Sequence, residues 1–474
     1  MRKTKIVCTL GPASESKEVL TELVAAGLDV ARLNFSHGDY EEHGRRIDLI
    51  KEVEAELGKP IGIMLDTKGP EIRTGVLRED QVELVKGEEI ILTTEEIAGD
   101  SSRVSISYKH LPEDVQPGNS ILIDDGLIGL EVLEVQGNEI RCKIINGGIL
   151  GSRKGVNLPG ISLKLPALTE KDREDISFGI KKGIHLIAAS FVRKASDVLE
   201  IRELLKDEGA EDIKIISKIE NQEGVDNIDD IIQVSDGIMI ARGDLGVEIP
   251  AEKVPVIQKE MIRKCNRAAK PVITATQMLE SMIRNPRATR AEASDVANAI
   301  FDGTDATMLS AESAIGDYPV EAVKTMAKIA EEVEGSFAYK EKLKQQTNNY
   351  SRTVTEAISF ASVKTATDLQ VKCIITSTNS GFTARMVSKH RPMTPIIAVT
   401  HNEFVEHTLT LSWGVYPLRA PRSKTTDEMI HNAISAVLRH KLVETGDLVI
   451  ITAGVPVGIS GTTNLIEVLV VGEE

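Results

Sequence analysis

The sequence predicts an α/β protein: a closed (β/α)8 barrel carrying an inserted small β-barrel domain, followed by a C-terminal open α/β sheet. Three observations carry this. Eight short apolar runs of strand character alternate with segments of helical period. That is the pattern of parallel βαβ units, and eight strand-helix pairs is the count of a closed barrel, with an open doubly wound sheet as the alternative. The runs begin 24 to 35 residues apart except for one gap of 125, between residues 61 and 186. After residue 338 a second α/β alternation begins.

The barrel runs are KIVCTLG (5–11), DVARLNFS (29–36), IGIMLDTKG (61–69), LIAASFV (186–192), IKIISKIE (213–220), GIMIARGDL (237–245), PVITATQML (271–279) and ATMLSAES (306–313). Helical pieces between them include SKEVLTELVAAG (16–27), HGRRIDLIKEVEAELG (43–58), SDVLEIRELLKDEG (196–209) and KVPVIQKEMIRKCNRAA (253–269). TRAE (289–292) has the spacing of a capping box and predicts a helix start at Thr289.

Subtracting one ordinary unit from the long gap leaves about a hundred residues, the size of a small domain. The excess contains VELVKGEEIILTT, RVSISY, SILIDDGLIGLEVLEV and NEIRCKIINGG, rich in valine and isoleucine and broken by glycine, asparagine and aspartate turns. The barrel is therefore expected over 1–69 and 169–338, with a β domain over 70–168 emerging from the loop after the third strand. Loops after barrel strands surround the active-site face, so this domain is placed to act as a lid. AYKEKLKQQTNNYSR (338–352) reads as a linker or exposed helix, and 339–474 as a third domain. Its pieces are VTEAISFASVKTAT, VKCIITST, GFTARMVSKH, PIIAVT, EFVEHTLTL, DEMIHNAISAVLRHKL, DLVIITAG and NLIEVLVV.

With 56 basic and 72 acidic residues in 474, the net charge is −16. This argues against a sequence-independent grip on nucleic acid, which needs clustered cations against phosphates. Cys8, Cys142, Cys265 and Cys373 are far apart, show no metal-ligand spacing and read as free thiols of a reducing compartment. No stretch approaches the ~20 apolar residues of a membrane span, and the N-terminus lacks a signal-peptide core. A soluble cytoplasmic protein is expected.

Functional side chains of a (β/α)8 barrel sit at the C-terminal ends of its strands, and polar residues cluster there. Arg32, Asn34 and Ser36 alternate with Leu33 and Phe35, which puts a cation and two oxygen-bearing groups on one face. The third run ends in Asp66, Thr67, Lys68 and Gly69; the fifth in Lys218 and Glu220, which share a face; the sixth in Arg242, Gly243 and Asp244. The seventh ends in Thr274 and Thr276, the eighth in Ser310 and Glu312.

Glu220 and Asp244 are positioned to offer two carboxylates to one Mg²⁺ or Mn²⁺, or to pair with Lys218 or Arg242 in an ion network; both readings can hold at once. Arg32, Arg73 and Lys218 supply cations for a transferring phosphoryl group, and Gly243 permits close approach to backbone amides. The residues alone point to a metal-dependent barrel enzyme acting on a small anionic, phosphorylated substrate.

Several motifs together resemble the pyruvate kinase family: ARLNFSHG (31–38), LDTKGPEIRTG (65–75), KGVNLPG (154–160), SKIEN (217–221), ARGDLGVE (241–248), ATQMLESM (275–282), TRAEASDVANA (289–299) and MLSAES (308–313). The resemblance implies transfer of the phosphoryl group of phosphoenolpyruvate to ADP, giving pyruvate and ATP, on a barrel with an inserted β domain and a C-terminal α/β domain. It implies Mg²⁺ (or Mn²⁺) on Glu220 and Asp244, and Lys218 and Arg32 as catalytic cations. Thr276 would bind substrate, with Gly243 and Asp244, and relay the proton that makes pyruvate. Asn34, Ser36, Asp66 and Thr67 match the family's K⁺ site. Members that dispense with K⁺ tend to carry lysine where Glu71 stands, so Glu71 favours K⁺ dependence. Arg32, Asn34, His37, Arg73 and Lys154 match positions near the nucleotide or its phosphates; His37 has the alternative of capping the helix after it.

Two segments of the third domain look able to hold phosphate: Thr376, Ser377, Thr378, Asn379, Ser380 and Gly381, followed by Thr383 in the next helix, and the glycine-rich 454–463 with Gly458 and Gly461. Both are equally readable as tight turns. The resemblance makes them an allosteric site for a sugar phosphate or nucleotide, with Phe382 where many members carry a basic residue. It also implies a homotetramer. Because the chain runs only a little past Val471, the extra C-terminal domain of some bacterial members is expected to be absent. The alternatives are another Mg²⁺-dependent barrel handling pyruvate enolate, such as an aldolase or a phosphoenolpyruvate lyase, and a regulatory sugar-phosphate sensor on an inactive barrel.

Overall fold

The computed structural model describes residues 1–161, 163–336, 338–339, 341, 353–458 and 461–473. Eight parallel strands close into a barrel: β1 (Lys5–Thr9), β2 (Val30–Asn34), β3 (Gly62–Asp66), β4 (Leu186–Ala189), β5 (Lys214–Ile219), β6 (Gly237–Ala241), β7 (Val272–Ala275) and β8 (Ala306–Leu309), with β1 pairing β8. The expected TIM-type barrel is found, and each of the eight runs supplies one strand. Closure abolishes edges and buries both strand faces, which is why β1, β3 and β6 are buried at every position. Val7, Val30, Met64, Ile216, Met239, Ile273 and Met308 fill the interior, while a larger apolar layer packs between strands and helices.

The helices begin where their caps put them. Thr289 and Glu292 form the expected reciprocal capping box at Arg290–Asp302, and a second box, Thr169 with Asp172, starts Glu170–Lys182. Asp172 does more: one carboxylate oxygen accepts from the Gly69 amide (3.0 Å) and the other from the Thr169 amide (2.9 Å). The chain's departure from the barrel and its return are thus tied to one buried side chain.

Between them lies a β unit with a core of its own, from Ile72 to Leu158. A six-stranded sheet runs in the order 156–157, 120–123, 128–136, 139–146, 89–93, 103–105, beside the pair 81–84 and 148–151. Arg73 pairs with Gly155, so the outgoing and returning segments form a stalk. Arg193, after β4, grips that return: its guanidinium donates to the carbonyls of Leu163 (3.0 Å), Leu165 (2.6 Å) and Pro166 (3.3 Å).

The third α/β unit is a five-stranded sheet ordered 415–419, 396–400, 374–377, 448–453, 465–470, the last strand antiparallel. Val415–Arg419 went unrecognised in the sequence because Pro417 argues against a strand; it is tolerated because this is an edge strand, pairing on one side only. Tyr339, on the C-terminal side of the expected boundary at 338/339, is buried in the barrel's apolar layer. Residues 342–352 of the expected linker, and Ile459 and Ser460 of the 454–463 loop, lie outside the described residues. All four cysteines are buried and unpaired. Among the described residues no helix is long and apolar enough to cross a membrane.

Candidate active site

The strand period of two carries the barrel interior up to its mouth. Ile216 belongs to the interior layer, so Lys218 and Glu220, two and four residues on, face inward as well. Lys218 Nζ meets three acceptors: Asp66 Oδ1 at 3.1 Å, Glu220 Oε1 at 2.9 Å and Ser190 Oγ at 2.7 Å. Asp66 in turn accepts from Arg32 Nε through Oδ2 at 2.6 Å, and Arg32 Nη1 donates to Thr9 Oγ1 at 2.8 Å. Four strand ends and the loop after β4 therefore converge on two cations and two carboxylates. Among the described residues, Arg32 Nη2 has no protein partner.

Burial alone would raise the Asp66 carboxyl, but Arg32 and Lys218 together hold it below the usual carboxylate range. For Lys218 burial works against the charged form; Asp66 and Glu220 outweigh it and keep the ammonium above its ordinary value. Glu220 goes the other way. Burial, with Asp244 adding like charge against the opposing pull of Lys218, pushes its carboxyl up, and burial raises Asp244 as well. Two carboxylates held in a site that disfavours their charge are a donor set that a divalent cation suits. No group of three or more His, Cys, Asp or Glu side chains among the described residues competes as a metal cage. Glu220 and Asp244 border a cavity of about 400 Å³ beneath the inserted unit, which Glu71, Asp125, Asn157 and Glu248 also line.

Thr276 sits with φ at +66°, a left-handed conformation that a β-branched residue adopts only under constraint. The constraint is Arg242, whose guanidinium donates to the carbonyls of Ala275 (3.2 Å) and Thr276 (2.7 Å) and pairs with Asp295 (2.7 Å). Arg242 is thus a brace, and it forms no pair with Glu220 or Asp244; Lys218 alone fulfils that ion-network reading. The Gly243 amide donates to Thr276 Oγ1 (2.7 Å). Thr274 is buried against Thr304, and Glu312 accepts from the Leu279 and Ser310 amides, so both shape the mouth from behind.

Around the stalk, Glu71 and Arg73 form a two-pronged ion pair, both contacts at 2.8 Å, and Lys154 Nζ reaches Asp124 Oδ1 at 3.0 Å. Arg73 Nη1 also donates to the Arg153 carbonyl (2.8 Å). The model of the pyruvate kinase barrel domain matches residues 1–323, and that of the pyruvate kinase alpha/beta domain matches residues 356–469. The chain belongs to the pyruvate kinase family.

Among its relatives, the pyruvate kinase of Clostridium acetobutylicum is 56% identical, over 99% of this chain and 100% of the relative. Those of Bacillus licheniformis and Geobacillus stearothermophilus are each 58% identical, over 100% of this chain and 81% of theirs. The family uses a divalent metal ion and, apart from the members that dispense with it, potassium. The four residues expected at the K⁺ site are neighbours: Asn34 is paired in register with Asp66, Thr67 follows directly, and Ser36 is bonded to Asn34 through its amide. Asn34 Oδ1 accepts from the Ser36 amide (3.2 Å), and Asp66 already accepts from Arg32 and Lys218, leaving about two of its four acceptor positions open while the Ser190 hydroxyl donates to the Thr67 carbonyl (2.6 Å). His37 is exposed and is not the helix cap; Asp39 caps Tyr40–Leu57 by accepting from the Glu42 amide.

In the C-terminal unit of this pyruvate kinase family fold, Ser377, Thr378, Asn379 and Gly458 line a cavity of about 400 Å³. Ser380, Thr383 and Gly461 border a smaller one beside it. Thr383 and Thr463 join the two segments through a hydroxyl pair at 3.0 Å. Gly381, Gly458 and Gly461 have positive φ, which explains glycine there. Thr376 is buried in its strand and borders neither space. The cations come from a loop that sequence reasoning passed over: Arg422 and Lys424 line the larger cavity, as does His401, whose charge burial and the neighbouring arginines disfavour. Ser190 was missed too, because LIAASFV carries no charge; only its place between Lys218 and Thr67 reveals it.

Proposed function

We infer that this chain transfers the phosphoryl group of phosphoenolpyruvate to ADP, giving pyruvate and ATP, with residue roles as follows. The observation that carries the reading is the Lys218 ammonium held between Asp66, Glu220 and Ser190 at the barrel mouth. Lys218 stays cationic at neutral pH and is pre-oriented, so it stabilises negative charge developing on the phosphoryl group and the enolate without reorganising. All three of its N–H bonds are engaged, so a substrate oxygen replaces one acceptor; Ser190, the neutral one, is the least costly to displace. Arg32 offers its unpartnered Nη2 to the same anion while Asp66 fixes its plane.

A divalent ion, Mg²⁺ or Mn²⁺, would be held by Glu220 and Asp244 and would supply Lewis-acid neutralisation of substrate oxygens. K⁺ would draw on Asn34, Ser36, Asp66 and Thr67, all hard oxygen donors. Thr276, whose oxygen is set by the Gly243 amide, turns its hydroxyl from the Ala275 carbonyl (2.6 Å) to substrate to relay the enolate's proton. Arg73, Lys154 and His37 would meet the nucleotide phosphates when the 70–168 unit closes as a lid on the 1–69 and 169–338 barrel. Closure requires Arg73 and Lys154 to exchange Glu71 and Asp124 for phosphate.

The 339–474 unit would take a sugar phosphate or nucleotide at the 376–381 and 454–463 segments, with Arg422 and Lys424 supplying the charge that Phe382 does not. Assembly as a homotetramer in the cytoplasm is part of the same reading. A coupled assay of pyruvate formation from phosphoenolpyruvate and ADP, with Mg²⁺ and with or without K⁺, tests it. Absence of turnover with both ions present would overturn it.

A further inference from the structure

A second cationic site lies at the foot of the barrel, opposite the mouth. Lys214 opens β5, and Asp236 immediately precedes β6. The helix Phe382–Ser388 of the C-terminal unit approaches from below, and Leu411 enters the barrel's interior layer. Between them is a cavity of about 240 Å³ lined by Lys214, Asp236, Lys270, Phe382, Arg385 and Leu411 among others.

Its charges do not balance. Three cations, Lys214, Lys270 and Arg385, face one carboxylate, Asp236. Lys270 spends its three N–H bonds on the carbonyls of Ile232, Gln233 and Ser235, at 2.5, 2.8 and 2.6 Å. Asp236 is engaged by Arg202 (2.8 Å) and by the Ile215 amide (3.0 Å). Among the described residues, the Lys214 ammonium makes no hydrogen bond or ion pair with the protein. Among the same residues the Arg385 guanidinium makes one hydrogen bond, from Nη1 to the Ser380 carbonyl at 3.2 Å. An ammonium and most of a guanidinium fork therefore share a small, half-buried space without a counter-ion of their own. Burial pulls Lys214, Lys270 and Arg385 all below their ordinary ranges, a bias that a bound anion reverses.

We propose that this cavity binds a small dianion of the phosphate or phosphate-monoester class through Lys214 and Arg385. The planar fork of Arg385 matches tetrahedral oxyanions, and Lys214 supplies a point charge beside it. The volume is below that of a drug-sized pocket, as a ligand of a few heavy atoms requires. Because Lys214 belongs to the barrel and Arg385 to the C-terminal unit, the anion clamps the two together. It does so at the root of β5, the strand that carries Lys218 at its other end. The site is separate from the cavity of Ser377, Arg422 and Lys424, although Arg385 touches the back of that cavity's loop through Ser380.

Isothermal titration calorimetry on the full chain tests this, with inorganic phosphate and, in a separate arm, glycerol 3-phosphate. The wild type is compared with a Lys214→Met/Arg385→Met variant and an Arg422→Met/Lys424→Met variant. The expected result is that the first pair weakens one class of sites by at least about tenfold, the effect of losing charge-assisted bonds, while the second leaves that class intact. Phosphate alone binding there assigns free phosphate as the source; the monoester binding there assigns the ester. If Lys214→Met/Arg385→Met unfolds at lower temperature, Lys214→Gln makes the same comparison, since the ammonium it removes holds nothing in the protein. Binding of both probes unchanged by loss of Lys214 and Arg385, or abolished entirely by Arg422→Met/Lys424→Met, overturns the proposal.

Discussion

Replacing Lys218 with methionine is the most direct perturbation of the mouth, because the thioether keeps the stem's volume and removes only the ammonium. Asp66 and Glu220 are 1% and 2% exposed, so each loses a buried partner. Asp66 keeps Arg32 (2.6 Å) and Glu220 keeps the Phe191 amide (2.6 Å), which limits the damage. Stripping one partner from a buried ion pair costs about 3–5 kcal/mol when nothing else compensates; with these two contacts retained, the loss of stability should fall at or below the low end. Catalysis loses a preorganised charge, about 3–4 kcal/mol by analogy with removing a single oxyanion donor, so kcat should fall roughly 10²- to 10³-fold. The assay is steady-state pyruvate formation with saturating Mg²⁺ and K⁺, run beside thermal unfolding and Mn²⁺ binding followed by electron paramagnetic resonance. Metal affinity should survive, because Glu220 and Asp244 remain and a repelling cation has gone. Turnover within a few-fold of wild type in a folded, metal-binding variant would remove Lys218 from the mechanism.

Ser190→Ala deletes the hydroxyl that a substrate oxygen displaces from Lys218, so kcat should stay within a few-fold of wild type; a drop of about 10-fold or more, the value of a hydrogen bond to a charged group, would mean that Ser190 stays bonded to Lys218 during transfer. Glu71→Lys should reduce the K⁺ requirement and, by releasing Arg73 from its two-pronged pair, change the KM for ADP; a K⁺ requirement equal to wild type counts against Glu71 as the determinant. His185 is held to about 2 by burial, with the neighbouring His407 adding to the effect. Its folded value lies below the unfolded one near 6.5, so the native state binds fewer protons: the contribution is complete above pH ~6.5 and declines by about 1.4 kcal/mol per unit as pH falls. His185→Asn, which retains an acceptor for the Ile63 amide, should flatten the fall of the thermal midpoint between pH 6.5 and 5; identical slopes refute the assignment. Arg391→Met breaks a buried fork on Asp305 (3.1 and 3.0 Å) stacked on Trp413, and should cost about 3–5 kcal/mol in thermal or denaturant unfolding. A shift equivalent to less than 1 kcal/mol would mean the barrel and C-terminal unit are held chiefly by apolar contact.

Much of the molecule is legible in its sequence. Strand and helix periods are local, so eight runs, one 125-residue gap and a capping box at TRAE led to the barrel, the insertion and the helix at Arg290. The side-by-side facing of Lys218 and Glu220 followed from the strand period alone. Charged strand ends were visible for the same reason, and family motifs could be laid over them.

What the sequence determined by itself was therefore which elements form, which face each side chain takes and which chemical groups are available. Only the tertiary structure decided their partners. Ser190 joins the site because closing the barrel brings the end of β4 beside β5, and no local pattern marks a neutral hydroxyl as functional. Arg242 and Glu312 looked like mouth residues, yet Arg242 braces the strained Thr276 turn and Glu312 collects backbone amides behind it. Lys214 and Arg385 are ordinary surface residues by pattern; docking the C-terminal unit under the barrel desolvates them together. The physical reason is the same in each case. Side-chain direction is set within a few residues of chain, whereas charge pairing and burial depend on contacts between segments far apart in sequence.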